Sequence, residues 1–190
     1  MAAVLAEEDV TSATLVGHSL GGPVVLEAAI AAQGRAAAVV GVDTFSDGWR
    51  QPSFSETLEG IEEDFAGFVG RQRHAMFVAA SPPALVDRIM ADMARQPVTS
   101  GIGAMRGLAT WGGSRFDLAL GELGMPLGMV ATSARMEAIA SLRAAAAQLP
   151  MLRVVEMSGV GHFLMREDPP RFNTLLCAID AELRSHECQE

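Results

Sequence analysis

The residues with the clearest capacity for chemistry are Gly17-His18-Ser19-Leu20-Gly21-Gly22. An apolar run, Thr14-Leu15-Val16, leads into them, and a helical pattern follows at once with Pro23, Val24, Val25, Leu26, Ala28 and Ala29. A strand that turns directly into a helix holds its central residue in a sparsely populated backbone conformation. Gly17 and Gly21 are expected to spare that turn the side chains that would collide with the neighbouring strand and helix. Ser19 would then raise its hydroxyl above the sheet edge. The Leu20 N–H would lie at the helix N-terminus, where donors are unpaired and the helix dipole favours an anion. A hydroxyl nucleophile beside an oxyanion donor is the equipment of acyl transfer.

This strand–turn–helix arrangement around Gly-x-Ser-x-Gly resembles the nucleophile elbow of the α/β-hydrolase superfamily, in its esterase, lipase and peptidase-like branch. The resemblance implies a parallel sheet flanked by helices, a serine-based triad, and no metal or organic cofactor. The substrate it implies is a small acyl compound.

A serine hydroxyl is a weak nucleophile until a base removes its proton. Of the four histidines, His18 lies inside the motif, with its side chain expected to point away from that of Ser19. His74 falls in a helical stretch and His186 in a polar tail. His162 stands in Ser158-Gly159-Val160-Gly161-His162-Phe163, a glycine-bracketed loop at the carboxyl end of a strand. Ligand and catalytic groups gather on that side of α/β sheets. The following Leu164-Met165-Arg166-Glu167-Asp168-Pro169 resembles the superfamily's histidine loop and final helix, and the order of Ser early and His last agrees with it. His162 is the expected base.

The acid of the triad departs from the family pattern. In this fold it usually follows the strand that corresponds here to residues 127–131, yet Thr132-Ser133-Ala134-Arg135-Met136-Glu137 offers no carboxylate at that place, and Glu137 is expected a turn into a helix. The alternative is Asp43, which closes the run Val39-Val40-Gly41-Val42. Some relatives, the haloalkane dehalogenases among them, carry their acid after that earlier strand. A serine at position 19, where those enzymes use Asp, speaks against dehalogenation. Asp43 as triad acid and Asp43 as a cap on the chain's exit from the strand both stand at this point.

The elements that must position these groups alternate. Residues 2–8 read as the end of an amphipathic helix, 13–16 as a strand, and 23–33 as a helix with Gly34 as its stop. Residues 37–42 form a continuous apolar run, as in a strand buried on both faces. From Thr44 to about Gly121 the pattern becomes helical. Ser53 and Glu56 form a capping box ahead of Leu58, Ile61, Phe65 and Phe68. Ser81 is expected to cap a helix that carries Leu85, Ile89 and Met93, with Pro82 at its first position. Pro97 ends that helix, and a further one spans 98–111. Strands at 127–131 and 152–157 enclose a helix at 135–148. Asp168-Pro169 opens the last helix, with Phe172, Leu176, Ile179 and Leu183 facing the core. The fold class is therefore α/β. Residues 1–43 and 122–190 form the core, and 44–121 form an all-helical cap insertion whose methionines (Met76, Met90, Met93, Met105) suit an adaptable apolar lid.

Composition sets the outer bounds. The 190 residues fit one domain, and 49% hydrophobic with 19% charged residues describes a globular chain. A net charge of −9 with scattered basic residues argues against a nucleic-acid partner. No apolar run reaches membrane-spanning length, and the first ten residues lack a signal-peptide pattern. Two cysteines give no disulfide framework, which suits a reducing cytoplasm; Cys177 is expected to be a core thiol and Cys188 lies in the polar tail.

Only thirteen residues precede Thr14. By resemblance the chain then corresponds to the C-terminal two-thirds of the family's fold, as a truncated gene product would. The strand before Ser19 would lose its neighbour on one side, and such an exposed edge favours a homo-oligomer. The expected activity is cleavage of a small ester. A non-catalytic remnant or small-molecule-binding relative is the alternative, and carbon–carbon bond hydrolysis or peptide cleavage is a third reading.

Overall fold

The computed structural model describes every residue except Gln33, Gln51, Ala138 and 188–190. It likewise leaves undescribed the side chains of Arg50, of residues 52–57, and of Glu137, Ser141, Ala145, Gln148, His186 and Glu187. The end of the expected 23–33 helix, the Ser53–Glu56 capping box, the side chains of Glu137 and His186, and Cys188 thus fall outside the described residues.

Four parallel strands form one sheet in the order β1-β2-β3-β4: β1 (Ala13–His18), β2 (Ala36–Val42), β3 (Leu127–Ala131) and β4 (Leu152–Glu156). Sequential parallel strands need crossovers, and helices supply them. After α1 (Ala2–Glu7), the first crossover is α2 (Gly21–Ala31), which starts two residues earlier than expected because the turn leaves the strand so sharply. Gly34, with φ +82, lies beyond its end.

Every residue of β2 and of β3 is buried, as an apolar run in the middle of a parallel sheet must be. On one face Leu15, Val39, Leu127 and Met129 pack against Val25, Leu26, Leu120 and Leu142. On the other, Ala38, Val40, Val42 and Val130 meet Phe172, Ile179 and Leu183. β1 and β4 are the outer strands, and on β1 the side chain of Val16 is 43% exposed. A polar tie holds β1 in place: Thr14 Oγ1 donates to Asp180 Oδ1 at 2.5 Å, and Arg184 pairs with the same carboxylate while reaching the Ser12 carbonyl.

Between β2 and β3 the chain is helical. A 3-10 turn (Asp47–Arg50) leads to α3 (Pro52–Glu63), α4 (Phe65–Met76), α5 (Pro83–Ala94), α6 (Val98–Ser114) and α7 (Phe116–Glu122). Asp64 separates α3 from α4 by capping the latter, accepting from the Gly67 N–H at 2.8 Å. Ser81 does not cap α5, whose N-cap is Pro82. Its hydroxyl is used twice elsewhere, accepting from Val78 N–H and donating to Glu167.

After β3, the expected helix over 135–148 is broken into α8 (Ser133–Glu137), α9 (Ala140–Ala144) and a 3-10 turn (Ala145–Gln148). Ile139 and Leu142 are both fully buried in the core under the sheet. β4 is followed by α10 (Leu164–Glu167) and by α11 (Pro169–Glu187), on which Asp168 accepts from Arg171 N–H. Cys177 lies on α11 and is exposed, which corrects its expected place in the core. It shares the exposed side of the helix with Thr174 and Ala178, whereas Phe172, Ile179 and Leu183 take the buried one.

Candidate active site

The carboxyl ends of β1, β2 and β3 and the loop after β4 converge on one cavity of about 740 Å³, whose wall includes Ser19, Leu20, Asp43, Thr132, Arg135 and His162. Ser19 follows β1 with φ 53, a backbone conformation rare for a residue with a side chain. Its backbone is pinned on both sides. Ser19 N–H donates to Val42 C=O at 2.9 Å, while its own carbonyl accepts from Gly22 N–H at 3.0 Å and from Thr44 Oγ1 at 2.5 Å.

The glycines divide this work differently from the expectation. A Cβ on Gly17 would strike the Gly21 carbonyl and come within 2.6 Å of Val25 Cγ2, so Gly17 is sterically required. A Cβ on Gly21 would meet nothing within 4 Å. The second compulsory glycine is Gly22, where a Cβ would run into Thr44 Oγ1 and lie 2.6 Å from Thr44 Cγ2. The close approach that sets it is made by the side chain locking the Ser19 carbonyl, a contact invisible along the chain. Leu20 is the N-cap of α2, and no hydrogen bond among the described residues takes up its N–H.

Asp43 ends β2, where its N–H continues the ladder by donating to Val130 C=O at 2.8 Å. It too has a positive φ, 46. Its carboxylate is 4% exposed and satisfied at both oxygens. Oδ1 accepts from Thr132 N–H at 2.9 Å and Thr132 Oγ1 at 2.8 Å; Oδ2 accepts from His162 Nδ1–H at 2.6 Å. Burial alone would raise this carboxyl, but the bonds from His162 and Thr132 and the charge of Arg135 outweigh it and hold it below the usual carboxylate range. It stays ionised and fixes the His162 proton on Nδ1. Nε2 is then the nitrogen free to act as a base. Ser19 and His162 line the same cavity, and no hydrogen bond joins the hydroxyl to the imidazole. Such bonds are often long before a substrate closes them.

His162 is held from three directions. Its N–H donates to Met76 C=O at 2.7 Å, tying the loop to the end of α4. Gly161 N–H donates to Glu167 Oε2 at 3.0 Å, the oxygen that also accepts from Ser81. Its carbonyl accepts from His18 Nε2–H at 2.8 Å, with the two rings' centroids 4.5 Å apart. Burial, reinforced by the neighbouring His162, lowers the His18 imidazole to about 4, so His18 is neutral at ordinary pH and carries its proton on Nε2. His74 is exposed near the end of α4, away from the cavity wall.

Four polar groups of the site escape the sequence: Thr44, Thr132, Arg135 and Glu167. Thr132 had a signal, since it stands where the resembling family places its acid and instead orients a carboxylate from the adjacent strand. The others act across loops that only the fold brings together. Among the described residues, no cluster of three or more His, Cys, Asp or Glu side chains is arranged to hold a metal ion, and no helix is long and apolar enough to cross a membrane.

The fold is shared with several solved structures. A bromoperoxidase from Bacillus anthracis superposes with a TM-score of 0.74 at 16% identity, over 93% of this chain and 70% of that one. An esterase from Exiguobacterium antarcticum gives 0.76 at 12%, over 94% and 70%. A hydrolase from Oleispira antarctica gives 0.75 at 13%, over 95% and 69%. The chain thus spans about 70% of the length of these structures. No curated protein matches it in sequence. The alpha/beta hydrolase family model, however, matches residues 1–175, and with the strand–turn–helix at Ser19 on the same parallel sheet, the chain belongs to the alpha/beta hydrolase family.

Proposed function

We propose that this chain is a serine hydrolase that cleaves a small carboxylic ester or related acyl compound, with Ser19 as nucleophile, His162 as base and Asp43 as the acid. The observation that carries the reading is the 2.6 Å bond between His162 Nδ1 and a buried Asp43 carboxylate, on the wall of a cavity that also holds Ser19 at positive φ. In this reading Ser19 Oγ attacks the substrate carbonyl while His162 Nε2 takes its proton. Asp43 stabilises the imidazolium that forms. The Leu20 N–H, unpaired at the start of α2, donates to the oxyanion. The imidazolium returns its proton to the leaving alcohol, and a water activated by the same nitrogen releases the acyl group. Residues 44–121 serve as the cap. They contribute Trp49, Phe68, Met76, Met105 and Leu108 to the cavity and so shape what enters.

A fluorophosphonate probe tests this directly. Labelling of the folded chain that disappears in Ser19→Ala is the expected result. Folded protein that takes up no label would instead favour a ligand-binding relative without catalysis.

A further inference from the structure

Arg135 lies in α8, one helical turn past the end of β3, and its side chain is 20% exposed on the cavity wall beside Asp43 and His162. Its Nε is buried and has no hydrogen-bond partner among the described residues. Among the described residues the carboxylate oxygen paired with it is Asp43 Oδ2 at 3.9 Å, beyond hydrogen-bond reach. Asp43 feels its charge but takes no hydrogen bond from it: both carboxylate oxygens already accept shorter bonds from His162 and Thr132. A guanidinium is an array of donors with no acceptor, and leaving such donors buried and unmatched is costly. Burial lowers its pKa from the usual value while Asp43 opposes the change, a balance that leaves the cation intact.

The surroundings narrow what could match it. The wall facing Ser19 is largely apolar, with Trp49, Phe68, Met105 and Leu108 among its residues. Apart from His162, the ionisable side chains among the described residues that line it are Asp43 and Arg135. Among the described residues, an entering molecule therefore meets one cation, Arg135, whose guanidinium donates no hydrogen bond to the protein. A planar fork of N–H groups fits a carboxylate in two-point contact. Asp43, 3.9 Å away and ionised, repels a doubly charged phosphate more than a singly charged group.

We propose that Arg135 is a specificity-determining residue that binds a carboxylate on the substrate, so that the preferred substrate is a half-ester of a short dicarboxylic acid. This rests on the ester-hydrolase reading of the same cavity. Water would cleave the half-ester to the dicarboxylate and an alcohol, with the carboxylate on Arg135 positioning the ester carbonyl over Ser19.

The test separates binding from turnover. In the full-length Ser19→Ala chain, which holds substrate unreacted, calorimetric titration compares monomethyl glutarate with its neutral amide, methyl 4-carbamoylbutanoate. The half-ester should bind about ten-fold tighter or better, and that preference should weaken with added salt. Adding Arg135→Gln should abolish the preference, and Arg135→Lys, which keeps the charge but not the fork, should retain part of it. Equal affinities in Ser19→Ala, no binding of the half-ester, or a preference that survives Arg135→Gln in a folded protein would each overturn the proposal. In the native chain the ratio of kcat/KM for the two esters should fall about ten-fold in Arg135→Gln, chiefly through KM. Fluorophosphonate labelling of Ser19 without any carboxylate preference would sink the Arg135 assignment alone. A carboxylate preference without labelling would sink the hydrolase reading and leave the binding site standing.

Discussion

The carboxyl end of the sheet and the helices laid over it are built to different tolerances. β2 and β3 bury every residue, and the groups at their ends, Asp43 and Thr132, are locked by bonds of 2.6–2.9 Å. Among the described residues, the first four helices between those strands bury far less. α3 through α6 contribute mainly Ile61, Val69, Val86, Ile89 and Leu108, and their ion pairs, such as Arg106–Glu62 and Arg73–Asp87, sit on exposed side chains. Exposed pairs of that kind add little stability. Groups that must meet to within an ångström therefore stand where the backbone is over-determined, and groups that only shape the cavity stand where substitution is cheap. If the contrast holds, changes at the sheet should destroy turnover, and changes in the helices should retune it.

The largest effects belong to the sheet's end. Ser19→Ala should lower kcat/KM for a 4-nitrophenyl ester by about 10⁴–10⁶, with the circular dichroism of the native chain retained. Asp43→Asn keeps the shape but cannot fix the imidazole tautomer, and should cost about 10⁴. A loss at Asp43 no greater than that of a cavity-lining residue would mean the carboxylate only caps the chain's exit from β2.

Next in size comes Gly22→Ala. Its new Cβ would displace Thr44, which is fully buried and bonded to the Ser19 carbonyl, so the elbow should relax. Turnover should fall on the order of 10–100-fold, and stability by about 1–3 kcal/mol in urea unfolding. The matching change Gly21→Ala adds a methyl to open space and should cost under about 1 kcal/mol. Similar losses at both positions would show that glycine is needed there for some reason other than Thr44.

That pair also shows what the chain order could and could not reveal. The motif around Ser19 and the apolar run of β2 were legible because strand–turn–helix and double burial leave patterns within a dozen residues. His162 was legible from its glycine-bracketed place after a strand. The pairing of Asp43 with His162 was not, because it depends on register: Val42 lies beside Val130, which carries Asp43 to the foot of Thr132 and within reach of the histidine loop. Ser81 read as a helix cap because its neighbours looked like one, yet Glu167, far along the chain, claims the hydroxyl. The stretch at 135–148 read as one helix because its alanines favour helix at every step. The structure instead divides it into α8, α9 and a 3-10 turn.

Acid should expose the sheet's end as the vulnerable region. The His18 imidazole has a folded value near 4 and an unfolded one near 6.5, so between those pH values the unfolded chain binds the extra proton and the native state loses stability as pH falls. Asp43, held below its usual value, adds stability above about pH 4 that is lost as pH falls further. His18→Gln keeps a donor for the His162 carbonyl and removes the titration. Comparing urea midpoints at pH 7 and 4.5, the variant should lose on the order of 2 kcal/mol less than the native chain. An unchanged loss would place the acid-sensitive group elsewhere.

The smallest effect is expected in the helices. Met105 lies on α6, half-buried, and lines the cavity. Truncation to Ala removes apolar contact with a bound acyl chain and little native packing. KM for a butyrate ester should rise roughly two- to five-fold with kcat nearly unchanged, and the melting temperature should move by no more than about 2 °C. The direction of the kcat response is what makes this small effect informative. A methionine that only fills the cavity contributes equally to ground state and transition state, so its loss appears in KM alone. If kcat fell with it, the helical layer would have to hold the reacting carbonyl in place as well. The line between a rigid sheet that reacts and a tolerant cover that selects would then have to be moved to include α6.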